Sequence, residues 1–147
     1  MCSPDIIRRM AKRKKKQDNV VLVIIPINHP NPPELHEIDS AMILANHYQS
    51  TVEFIIPVND YKRKNADFVM LSVEWELKCP TGVSKATIEN SFRTASKQAR
   101  NLVIDTRRTK LDYDVIVKRV RFELKKRPYM KKVILIDKTK NVIEIHV

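Results

Sequence analysis

With 147 residues the chain is long enough for one hydrophobic core and too short for two ordinary domains. Its 28 Lys plus Arg against 17 Asp plus Glu leave a formal charge of +11; that field attracts polyanions and makes nucleic acid the default partner, with a merely soluble basic surface as the plain alternative. No apolar run reaches bilayer-spanning length, the first segment lacks a signal-peptide core, and Gly82 is the single glycine, so neither a membrane anchor nor a Gly-rich phosphate loop for triphosphate hydrolysis is expected.

Residues 1–17 carry seven basic residues (Arg8, Arg9, Lys12, Arg13, Lys14, Lys15 and Lys16) against Asp5 alone, the density of a solvated arm. Residues 18–147 are expected to form a single domain. Val20 to Ile25 is apolar and, apart from Leu22, β-branched, and reads as a strand; the loop Pro26 to Pro33 follows. From Pro33 to Gln49 the apolar residues Leu35, Ile38, Met42, Ala45 and Tyr48 recur at helical spacing, with Glu34 and Glu37 in the first turns, where the helix dipole favours acids.

Thr51 to Ile56 alternates as a strand does, and two more extended stretches, Asp67 to Leu71 and Val73 to Cys79, come after a basic loop that contains Tyr61. Pro80, Thr81 and Gly82 end the third. Ser84 to Arg100 places Ile88, Phe92, Ala95 and Ala99 on one helical face, with Ser84 as a cap. A short strand (Asn101 to Asp105), a basic amphipathic helix (Tyr113 to Lys126) and a strand pair (Lys132 to Asp137, Asn141 to Val147) complete the chain. The fold class is α/β (α+β), with an αβββαβ core and a C-terminal αββ extension.

The residues that carry chemistry lie in ADFVMLSVEWELKCP, where Asp67 is followed nine positions later by Glu76 and then by Lys78. Strand alternation puts Glu74, Glu76 and Lys78 on one face and Trp75 and Leu77 on the other. Two carboxylates converging from neighbouring strands make an oxygen site suited to Mg²⁺ or Mn²⁺, and such a metal polarises a phosphate and acidifies a water. Lys78 beside them would orient that water or stabilise the developing charge. The competing reading is that the three residues are only the wet face of an antiparallel edge hairpin.

Position favours the first reading, and on these residues the chain resembles the PD-(D/E)xK nucleases of restriction-endonuclease-like fold over about residues 33–105. That resemblance implies Asp67 and Glu76 as metal ligands and Lys78 as the catalytic lysine. It further implies an acid from the first helix, Glu37 with Glu34 as the alternative, and a supporting polar residue on the second helix, Gln98. Ala66 stands where the motif has Pro.

A wider likeness rests on Val52 to Ile55, Asp67 with Phe68, Trp75 to Pro80, the helix from Ser84, Lys97 to Asp105, and Arg107 with Arg108. In these the chain resembles the tRNase toxin domains at the C-termini of contact-dependent growth inhibition proteins. This resemblance implies RNA cleavage, delivery within a larger secreted toxin, action in a cytoplasm and a dedicated immunity partner. Some such toxins have a metal-independent, barnase-type or colicin-type fold instead. A DNA endonuclease and a non-catalytic binding module also stay open, because the phosphate term is common to both polymers.

Between Asn101 and Lys132 eleven Lys or Arg face four acids. Arg107, Arg108, Lys118, Arg119, Arg121 and Lys125 are the expected phosphate contacts. Cys2 and Cys79 are placed too differently to suggest a disulfide, which points to a reducing compartment. His29, His36, His47 and His146 lack zinc-ligand spacing. Trp75, on the core-facing parity, is expected in the core and not stacked on a base, and no small-molecule cofactor is implied.

Overall fold

The computed structural model describes residues 21–58 and 65–146. The basic arm over 1–17, and Tyr61 in the basic loop, lie outside the described residues. In chain order the elements are β1 (Val23–Ile24), α1 (Leu35–Tyr48), β2 (Val52–Phe54), β3 (Phe68–Met70), β4 (Val73–Lys78), α2 (Ala86–Ala95), β5 (Asn101–Asp105), α3 (Tyr113–Lys126), β6 (Lys132–Ile136) and β7 (Val142–Ile145). From α1 onward this is the expected order αβββαβ followed by αββ, and the fold is mixed α and β.

The strands form one seven-stranded sheet in chain order, β1 to β7. Pairing is parallel for β1 with β2, β4 with β5 and β5 with β6, and antiparallel for β2 with β3, β3 with β4 and β6 with β7. Each helix supplies the long connection that a parallel neighbour requires. The expected hairpin of Asp67 and Glu76 is therefore no edge: β4 lies between β3 and β5.

The central strands are apolar on both faces because both are covered. Val103, Ile134 and Ile136 pack with Ala41, Leu44 and Ala45 of α1, together with Phe54, Phe68, Trp75 and Leu77. Their neighbours Leu102, Ile104, Val133 and Leu135 pack with Ile88 and Phe92 of α2 and with Ile116 and Val120 of α3. Trp75 is in the core as its parity predicts, and its indole N–H donates to the Met70 carbonyl at 3.0 Å.

Helix ends follow local chemistry. Glu34 caps α1 in a capping box, in which its backbone N–H donates to Glu37 Oε1 at 3.0 Å. Gln49, left-handed at φ 49°, closes the helix. The second helix is shorter than the apolar spacing suggests, ending at Ala95, and its N-cap is Lys85 with no side-chain cap bond. Gly82 has a steric role: a Cβ there would sit 2.6 Å from Thr87 Oγ1, so a side chain would push against the first turn of α2.

Candidate active site

The ladder between β3 and β4 runs regularly through Met70↔Val73, Val69↔Glu74 and Phe68↔Trp75. One step further it breaks. Asp67 N–H donates to the Trp75 carbonyl at 2.9 Å, and the Leu77 N–H is taken by Asp67 Oδ2 at 2.7 Å. A side-chain carboxylate thus replaces a main-chain acceptor, as bulges allow where a strand must re-aim a side chain. The break holds Asp67 against Glu76, although the two are nine positions apart in the chain.

Glu76 is buried, with 5% of its surface exposed. Its Oε1 lies 3.1 Å from Lys78 Nζ, while Oε2 is buried with no hydrogen-bond partner among the described residues. Burial, reinforced by the Asp67 charge and only partly offset by Lys78, pushes Glu76 up to about 7. Burial also raises Asp67, the Leu77 N–H opposes it, and the Glu37 charge raises it further. Glu37 and Asp67 line the same cavity of about 200 Å³ with His29 and Ala66.

The structure therefore brings Glu37, Asp67, Glu76 and Lys78 together. It removes the wet-hairpin reading, because Glu74 is exposed but Glu76 is not. Three carboxylates and one ammonium leave excess negative charge and an orphaned oxygen in a half-buried place, an arrangement that a divalent cation with oxygen preference fits. Beside it, Glu34, His36 and Glu37 bring three donor atoms within 4.8 Å of one another, a grouping that follows from the first turn of α1 and that the spacing of histidines alone does not reveal.

A family profile described as "Contact-dependent growth inhibition CdiA C-terminal domain" matches residues 64–142, more than half of the chain. The chain belongs to this family of toxin domains. The matched stretch contains Asp67, Glu76, Lys78 and Arg107 but not Glu37. Among solved structures, the "CdiA-CT/CdiI toxin and immunity complex from Burkholderia pseudomallei" superposes with a TM-score of 0.63 at 23% identity, over 84% of this chain and 98% of that one. That likeness is one of fold. No curated protein matches the chain.

Other expected site residues of this CdiA C-terminal domain are placed differently. Gln98 does not join the site: α2 stops at Ala95, and Gln98 is an exposed turn residue beside Val73 and Glu74, at the opposite end of β4 from Lys78. Its backbone N–H closes that turn on the Ala95 carbonyl at 2.8 Å.

Arg107, expected on phosphate, is instead engaged by acids. It donates to Asp105 through Nε and a terminal nitrogen, at 3.0 and 2.7 Å, and to Asp39 Oδ2 at 2.6 Å, with only 18% of its side chain exposed. Asp105 Oδ2 accepts from Ser40 Oγ at 2.5 Å. This cluster ties the end of β5 to α1 one turn after Glu37. Its members Asp39, Ser40 and Asp105 were not among the expected site residues; the one sequence signal is an acid closing the apolar run of Asn101 to Asp105. Cys79, 3.7 Å from Ser40 Oγ, is pushed up to about 12 by burial and remains an unreactive thiol at neutral pH.

Arg108, Lys118, Arg121 and Lys125 are exposed, and Arg119 is half-buried. No helix among the described residues is long and apolar enough to cross a membrane.

Proposed function

We propose that this CdiA C-terminal domain is a metal-dependent endonuclease of the PD-(D/E)xK kind that cuts RNA, with tRNA as its substrate. The observation that carries the reading is Glu76: a buried carboxylate with one oxygen on Lys78 and the other orphaned, beside Asp67, in the order D…ExK. Family membership supports a toxin role, and the RNA substrate rests on the likeness of the toxin motifs. An immunity protein is the proposed partner, by extension from the Burkholderia complex.

In this mechanism Asp67, Glu76 and Glu37 would hold the cation. When bound, Mg²⁺ supplies positive charge to the scissile phosphate and acidifies a water. The chain's own residues prepare the rest. The Leu77 N–H fixes the Asp67 carboxylate. Lys78, held by Glu76, places an ammonium where negative charge develops on the phosphoryl oxygens, and needs no reorganisation to do so. Glu37 is oriented by its bond to the Glu34 N–H. The exposed cations of α3 grip phosphates without reading sequence.

The test is incubation of wild type and Glu76→Ala with total tRNA and with plasmid DNA, each with Mg²⁺ and with EDTA. Discrete tRNA cuts that need both Glu76 and metal are expected. Cuts that persist in EDTA would move the chemistry to a metal-independent scheme, cuts confined to plasmid would make it a DNA endonuclease, and intact nucleic acid in every lane would leave a binding module.

The raised Glu76 carboxyl has a second consequence. It holds its proton more tightly in the fold than in the unfolded chain, so the metal-free protein is favoured at low pH and loses stability as pH climbs from the ordinary 4.5 through about 7. Thermal melts in EDTA should fall over that window. Glu76→Gln should flatten the slope, and Mg²⁺ should restore the wild type at pH 8. Equal slopes for wild type and Glu76→Gln would mean that another group titrates.

A further inference from the structure

The exposed side of α3 is not simply a charged face. Val115, Lys118, Arg119 and Phe122 recur at i, i+3, i+4 and i+7, a helical stripe separate from the buried one of Ile116, Val120, Glu123 and Leu124. Val115 and Phe122, each about half exposed at 51% and 50%, stand between cations along this stripe. Across from the stripe, Lys85 and Ile88 at the start of α2 complete a groove of about 420 Å³, and none of its lining residues is acidic. Arg119 and Lys126 lie over the Phe122 ring, 5.5 and 4.9 Å from its centre, so a base that stacks on the ring takes the place of one of these cations and frees it for a phosphate.

The groove and the Lys78 end of the active site lie on two different faces of the start of α2. The same N-terminal turns that turn Lys85 and Ile88 to this groove turn Thr87, Asn90 and Ser91 to another, of about 370 Å³, which Lys78 lines. A polynucleotide that passed from Lys78 over the start of α2 would meet polar hydroxyl and amide groups first, then cations around an apolar floor with an aromatic wall. Cations that track a backbone beside a ring that accepts any base face are the elements of single-strand recognition.

We propose that the groove between α2 and α3 is a base-binding subsite that seats an unstacked nucleobase of the RNA substrate against Phe122 and Val115, with Lys85, Lys118 and Arg119 on the flanking phosphates. The proposal rests on the nuclease reading for the identity of the polymer, and extends it from the reacting phosphate to a neighbouring nucleotide.

The test measures binding separately from cleavage. In EDTA, with Glu76→Ala protein that leaves RNA intact, fluorescence anisotropy gives the tRNA dissociation constant over a range of salt. Phe122→Ala should weaken binding about tenfold, from loss of one stacked base, with the salt slope unchanged. Phe122→Tyr should bind as the parent does, and Lys118→Ala should reduce the salt slope by about one. Thermal melts check folding, and tRNA carrying 4-thiouridine should cross-link to α3 in the parent and lose that cross-link in Phe122→Ala. If Phe122→Ala binds tRNA like the parent, the subsite is wrong, and loss of immunity-protein binding in that variant would assign the groove to a protein instead. Cleavage by wild type together with a silent Phe122→Ala overturns the subsite alone. Ring-dependent binding without any cleavage overturns the nuclease reading and leaves the subsite standing.

Discussion

Lys78→Ala is expected to lower RNA cleavage by about 10² to 10³-fold, the range for removing one preorganised group that faces developing charge. Nζ sits 3.1 Å from Glu76 Oε1, so the loss has two parts. The phosphoryl oxygens lose a cation, and Glu76, already raised by burial and by Asp67, loses the charge that pulls it back. Lys78→Ala should therefore also shift the pH profile of cleavage upward at sub-saturating Mg²⁺, where the Glu76 proton competes with the cation that Glu76 would hold. Lys78→Arg restores charge but not a compact ammonium, and should recover the profile more than the rate. Single-turnover cleavage of labelled tRNA across pH 6 to 9 checks both variants against the wild type. A Lys78→Ala protein that keeps more than about a tenth of wild-type activity would remove Lys78 from the chemistry.

The second large effect concerns stability. Arg107→Ala leaves Asp105, only 2% exposed, as a buried carboxylate with Ser40 as its one remaining side-chain partner. Breaking a buried pair in this way costs about 3–5 kcal/mol, because the surviving charge is uncompensated. Removing both charges is milder: Arg107→Ala combined with Asp105→Asn should destabilise less than Arg107→Ala alone. Urea denaturation of the two variants tests this. A phosphate-binding Arg107 predicts the opposite pattern, with unchanged unfolding midpoints and weakened, less salt-dependent RNA binding. Because Asp39, Ser40 and Glu37 share α1, the same clamp sets where Glu37 stands relative to Asp67.

Period and local chemistry are enough for much of this fold. The β5 strand and the α3 helix have the bounds that a short buried apolar run and helical spacing predict, and the element order from α1 to β7 is readable from the sequence pattern. The order D…ExK, and the placing of Trp75 in the core, also follow from the chain alone.

The rest depends on contacts between distant positions. Alternation puts Glu76 and Lys78 on one face of a strand but cannot say whether that face is wet. Only the pairing of β4 with β5 makes the strand central and buries Glu76. Spacing extends α2 to Arg100, whereas the folded helix ends at Ala95 and leaves Gln98 at the wrong end of β4. Composition makes Arg107 one basic residue among many; the fold seats it on buried Asp105, two positions away, and joins it there to Asp39, 68 positions away. A side chain's period is a property of its own segment, but its partners, and with them its charge state and role, are decided by whichever segments the sheet and helices bring to it.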